Sequence, residues 1–94
     1  MVEWDSGKAD ANFRKHGVSF AEAATSFDDP RGLSGEDLQH SAIEPRWRWI
    51  GRSEDERILV VAYTLRRAEH GKTAIRIISA RRANRKERAA YEAD

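Results

Sequence analysis

Arg46-Trp47-Arg48-Trp49-Ile50-Gly51-Arg52 alternates polar with apolar residues, which is the signature of a strand with two unlike faces. Trp47 and Trp49 point one way, and Arg46, Arg48 and Ile50 the other. Ser53-Glu54-Asp55-Glu56 reads as a turn. Arg57 to Leu65 follows as the most apolar strand, and Ala68 to Gly71 as a second turn. Lys72 to Ala80 is a third strand, with Ile75 and Ile77 on one face and Arg76 and Ile78 on the other. Three strands joined by short turns predict an antiparallel meander.

Upstream of this sheet the residues are helical. Val2 to Trp4 forms a short extended lead-in, and Asp5 is placed to cap a helix over 6–15. Ala9 and Phe13, four apart, give that helix its apolar stripe, flanked by Asn12 and His16. Gly17 ends it where a left-handed residue is tolerated. Ser19 caps a second helix that closes at Asp28-Asp29-Pro30. Glu22 stands at the capping-box spacing from Ser19, and Phe20, Ala23, Ala24 and Phe27 form the stripe. Residues 31–45 read as a loop with a short edge strand near Arg31 to Leu33. A last helix spans Arg85 to Glu92, opened by Asn84 or its neighbour. The expected fold is α+β: two N-terminal helices on one face of an antiparallel sheet of three to four strands, and a short C-terminal helix. Trp47, Val61, Ile75 and Ile77 are expected in the core with Phe13 and Phe27. Residues 1–94 fit a single domain.

Charge separates the two halves. Residues 1–45 hold four Lys/Arg against nine Asp/Glu, a net −5; residues 46–94 hold thirteen against seven, a net +6. Eleven of those thirteen cations are arginine, whose planar donor fork suits phosphate. The helices cover one sheet face, so the arginines have the other, and a polyanion is the expected partner. Charge alone leaves open a solvated face, a non-enzymatic RNA- or DNA-binding module, and an adaptor that only docks a partner.

Composition excludes several chemistries. With no cysteine there is no disulfide, thiolate nucleophile or cysteine metal site. His16, His40 and His70 match no zinc spacing. No Gly-rich phosphate loop, carboxylate pair at helical spacing or nucleophilic triad is present. The opening residues have neither a basic leader nor an apolar run, and the longest apolar run, Ile58 to Tyr63, is strand-sized. Neither a signal peptide nor a membrane span is expected, which makes the cytoplasm the default location.

Several residues stand out as candidates. A hairpin turning at 68–71 sets Arg66 opposite Arg76 or one position from it. Like charges so placed repel unless an anion sits between them or Asp55, Glu56 or Glu69 neutralises them. Lys8 opposes the dipole of its helix, which suggests an external anion or pairing with Glu3 or Asp5. His16 is a favourable cation at a helix C-terminus, and a structural role is sufficient for it. Trp47 and Trp49 suit core packing or base stacking.

Four runs together resemble the BrnT family of bacterial type II toxins. They are Trp4-Asp5-x-x-Lys8-Ala9-x-x-Asn12-x-x-Lys15-His16-Gly17-Val18-Ser19-Phe20-x-x-Ala23, Phe27-x-Asp29-Pro30, Ile58-x-Val60-Val61-x-Tyr63-Thr64, and Ile75-Arg76-Ile77-Ile78-Ser79-Ala80-Arg81. The resemblance covers residues 3–83. It implies a RelE-like ribonuclease that cleaves RNA without a metal or other cofactor and so blocks translation. It implies a BrnA-like antitoxin partner, operator DNA bound only through the antitoxin complex, and two toxins in that complex. The family's functional positions map onto Lys8, His16, Arg66 or Arg67, Arg76 and Arg81.

Overall fold

The computed structural model describes residues 1–40, 44–67 and 69–93. Residues 41–43 of the expected loop and Ala68 of the expected second turn lie outside them. Five strands form one sheet: β1 Val2–Glu3, β2 Leu33–Glu36, β3 Trp47–Arg52, β4 Ile58–Arg67 and β5 Thr73–Arg82. Three helices accompany them: α1 Ser6–His16, α2 Phe20–Ser26 and α3 Arg85–Glu92. The strand order is β1-β5-β4-β3-β2, so the meander β2-β3-β4-β5 is antiparallel as expected. The sheet as a whole is mixed, and larger than the expected three to four antiparallel strands. β1 adds to the β5 edge in parallel, with Val2 beside Ile75 and Glu3 beside Arg76. Two residues are too few to show a period, and their partner lies some seventy residues away, so the chain reads there only as extended.

Local chemistry sets the helix ends. The Asp5 carboxylate accepts the Lys8 amide at 2.9 Å, and Gly17 closes α1 at φ 69°. Ser19 accepts the Glu22 amide at 3.0 Å. The Glu22 carboxylate does not complete that capping box, because it turns to Arg57 and Ser53 instead. The complete box is at α3. Asn84 accepts the Glu87 amide, and the Glu87 carboxylate accepts the Asn84 amide, both at 2.8 Å.

α1 and α2 pack on one face of the sheet. Val18, Phe20 and Ala23 meet Leu59, Val61, Ile77 and Ala80 to make the buried core, with Ala9, Phe27 and Trp49 against it. Trp49 fits only because two neighbours are glycine: a Cβ on Gly32 would lie 1.9 Å from its ring, and one on Gly51 2.4 Å from its Nε1. Phe13 is not core. It is 55% exposed, and Asn12 takes the buried place on α1. The Asn12 amide accepts from the Ala80 N–H at 3.1 Å and donates to the carbonyls of Ala80 and Val18 at 2.8 and 3.0 Å. Fully paired, this side chain costs little to bury and ties α1 to β5. Of the remaining expected core, Val61 and Ile77 are fully buried, while Trp47 and Ile75 are only partly so.

One irregularity decides which side chains share the other face. Ala62 pairs with Ser79 and Tyr63 with Ile77, which leaves Ile78 as the extra residue of a β-bulge. In strict alternation Arg76 and Arg81 would point to opposite faces. The bulge changes the parity, and Arg81, opposite Val60, joins Arg76, opposite Thr64, on the side away from α1 and α2.

Candidate active site

The face without α1 and α2 carries two arginine pairs, one towards each end of the β4–β5 hairpin. Arg76 on β5 lies opposite Thr64, and Arg66 on β4 lies opposite Ala74. Arg66 and Arg76 are therefore two positions off rather than opposite or adjacent as expected, a diagonal that long side chains bridge. Both reach one atom: Glu3 Oε2 accepts from Arg76 Nη1 at 2.9 Å and from Arg66 Nη1 at 3.3 Å. The parallel pairing of β1 puts Glu3 beside Arg76, in a role that the sequence reading assigned to Asp55, Glu56 or Glu69. Two cations share one anion at this contact.

The second pair has the same composition. Arg81 Nη1 and Nη2 hold the two Glu87 oxygens at 2.7 and 2.8 Å, and Arg48 Nη1 approaches Glu87 at 3.5 Å. The Arg81 hydrogen bonds pull the Glu87 carboxyl down to about 2, against its partial burial. The same contact raises the Arg81 guanidinium. Glu87 thus pins the start of α3 over this end of the face. Tyr91 pins the other end of α3 by donating its hydroxyl to Asp29 Oδ2 at 2.5 Å. Beside Arg48 and Arg81 lies a depression of about 310 Å³, lined also by Val60, Ala62, Ile78 and Ser79 and by Asp37, Gln39 and Arg46. Val60 and Thr64, which stand opposite Arg81 and Arg76, are four residues apart, about 13 Å along β4.

Lys8 and His16 belong to α1, in the layer on the other side of the sheet. The Arg57 guanidinium donates to the Gly17 carbonyl at 3.2 Å, so the His16 end of α1 lies where β4 begins and β5 ends, the Arg81 end. Lys8, in the first turn after β1, lies toward the Arg76 end. The structure therefore unites Arg66 with Arg76, sets Arg81 apart with Arg48, and leaves Lys8 and His16 across the sheet. Arg67 pairs with Thr73 and alternates away from Arg66, so Arg66 is the strand-end arginine on the open face. Glu3, Arg48 and Glu87 were missed. A carboxylate three residues ahead of α1 gives no local sign of an arginine some seventy residues on. The Asn84/Glu87 box was legible as spacing. Among the described residues, no group of three or more His, Asp or Glu is placed to hold a metal ion.

Comparison with known proteins agrees with this architecture. The chain matches the crystal structure of the Brucella abortus ribonuclease toxin BrnT at a TM-score of 0.58 and 21% identity, over 90% of this chain and 100% of that one. That likeness establishes the shared fold. None of the curated proteins matches the chain. The family model described as "Ribonuclease toxin, BrnT, of type II toxin-antitoxin system" matches residues 4–87, from the end of β1 into α3. The chain therefore belongs to the BrnT family, the ribonuclease toxins of type II toxin–antitoxin systems.

Proposed function

We propose that the open sheet face binds RNA and cleaves it by metal-independent transphosphorylation, with the scissile phosphate between Arg66 and Arg76. A ribose 2′-hydroxyl loses its proton and attacks the adjacent phosphorus. The 5′-oxygen leaves with a proton, and a cyclic phosphate remains. Charge accumulates on the phosphoryl oxygens of the pentavalent transition state, and two guanidinium forks aimed at one point stabilise it. The observation that carries this reading is the convergence of Arg66 and Arg76 on one oxygen of Glu3. Two forks that meet on a carboxylate can meet on a phosphate. Arg81 and Arg48 continue the positive track toward the neighbouring nucleotide, and the depression beside them seats a base. Lys8 and His16 lie across the sheet from this phosphate, so water at the exposed face takes the 2′-proton and returns one to the 5′-oxygen.

Cleavage of cytoplasmic RNA in this way inhibits translation, and a BrnA-like antitoxin neutralises it. The antitoxin presents an acidic face to the arginines, across the sheet edge and residues 81–92. Complementary charge speeds that encounter. The antitoxin supplies operator binding, and the complex holds two toxins. The test is RNA cleavage by folded Arg76→Ala protein with EDTA present. Losing one donor to the transition state lowers the rate about a hundredfold. Undiminished cleavage removes Arg76 from the site, and loss of the parent's own activity in EDTA overturns the metal-free mechanism.

A further inference from the structure

On the open face, directly opposite Arg76 and two residues before Arg66, stands Thr64. It is 2% exposed, and its Oγ1 is the one buried side-chain polar atom among the described residues that has no hydrogen-bond partner. Nearly all buried hydroxyls are paired, because an unpaired one loses its water without compensation. Valine would fill the same β-branched volume, suit a strand equally well and remove that cost. On stability grounds threonine is thus the poorer residue here. Its position is what distinguishes it: the row Glu3, Arg76, Thr64 crosses β1, β5 and β4 on one face, and Arg66 is its next neighbour along β4.

We infer that Thr64 is a substrate-binding residue, whose hydroxyl donates to a non-bridging oxygen of the RNA phosphate held by Arg66 and Arg76. This rests on the reading that the two arginines hold the scissile phosphate. In the free protein the Glu3 carboxylate gathers both forks toward the β1 edge. A phosphate that takes over the forks draws them back across β5, toward the strand that carries Thr64. The hydroxyl beneath then gains the anionic acceptor it lacks. It contributes a third donor to the phosphate, after the two guanidiniums, and no proton is transferred to or from it.

The experiment compares Thr64→Val, Thr64→Ser and Arg76→Ala for single-turnover cleavage of a short RNA, alongside urea unfolding. A hydrogen bond to a charged oxygen predicts cleavage about tenfold slower in Thr64→Val. The unfolding midpoint should be no lower than the parent's, and Thr64→Ser should recover most of the rate. If Thr64→Val cleaves like the parent while Arg76→Ala does not, Thr64 lies outside the site and the arginine reading stands. If Thr64→Val is destabilised, the hydroxyl has a structural partner and the inference fails. If both Thr64→Val and Arg76→Ala cleave like the parent, the arginine reading falls and this inference with it.

Discussion

Glu22 and Glu3 each hold arginine, one beneath the helical layer and one on the open face. The Glu22 side chain is 7% exposed and meets a single cation, Arg57, on both of its oxygens. Ser53 donates to Glu22 at 2.7 Å, and Arg57 spends a further hydrogen bond on the Gly17 carbonyl. Those hydrogen bonds hold the Glu22 carboxyl below its ordinary range, despite the burial that opposes them, and raise the Arg57 guanidinium. Glu3 is 32% exposed and shares one oxygen between two cations. The first arrangement matches one cation to one buried carboxylate, so its worth is structural. The second leaves charge unbalanced and wet, so it contributes little to stability and can exchange its anion. Arg–Glu contacts alone do not mark a site; the ratio of cations to anions and the exposure separate the two uses.

The largest effect that follows is at Glu22. Glu22→Gln leaves Arg57 without its counter-ion and should cost about 3 kcal/mol of unfolding free energy. The rate of RNA cleavage per folded molecule should stay unchanged. A loss under about 1 kcal/mol by urea titration would place Glu22 in the class of surface pairs.

Arg76→Ala should show the converse pattern. Its pair with Glu3 is partly exposed, so stability should move by no more than about 1 kcal/mol. The transition-state loss of about a hundredfold argued above would then stand almost alone. Equal losses in both quantities would mean that Arg76 holds the fold as Arg57 does.

Acid sharpens the contrast at the third glutamate. The Glu87 carboxyl lies near 2 in the folded protein against an ordinary 4.5. The unfolded chain therefore binds its proton first. The stability Glu87 contributes is complete above about pH 4.5 and fades as pH falls toward 2. Solvent screening at half-exposed Arg81 reduces this to about 1–2 kcal/mol. Unfolding free energies of the parent and Glu87→Gln should converge across that window, where the lost carboxylate no longer distinguishes them. A constant gap down to pH 2 would mean that the amide differs from the carboxylate by packing and not by charge.

Much of this was legible because it is local. Asp5, Gly17, Ser19 and Asn84 cap the predicted helix ends, since a cap acts within four residues. The alternation of 46–52 and the apolar run at 57–65 gave the strands and the two unlike faces. The rest depends on partners distant in the chain. Phe13 has the right spacing for a core stripe, but only the folded chain offers Asn12 the Ala80 backbone. The bulge at Ile78 left a trace that strict alternation passes over: Ile75 and Ile77 are odd, the apolar Ala80 is even, and Ile77-Ile78 are adjacent. That parity change places Arg81 with Arg76. Lys8 stands out by its place on the helix and His16 only by the family resemblance, and the sheet lies between them and the arginines. Local spacing offers Glu3 or Asp5 to Lys8, whereas the parallel pairing of β1 makes Glu3 a neighbour of Arg76.

The smallest effect tests the comparison most directly, at Glu3 itself. If Glu3 only occupies the forks, Glu3→Gln removes a competing anion and raises the net charge of that end by one. RNA binding should then tighten about three- to fivefold, a change of under 1 kcal/mol typical of an exposed pair. The gain should shrink as salt rises, because the added charge acts through solvent. Stability should move by less than about 1 kcal/mol. A filter-binding or anisotropy titration of a non-cleavable RNA at two salt concentrations gives both numbers. If Glu3→Gln instead weakens binding, the carboxylate is needed to aim Arg66 and Arg76. Glu3 would then position its arginines as Glu22 positions Arg57, and exposure would no longer distinguish the two.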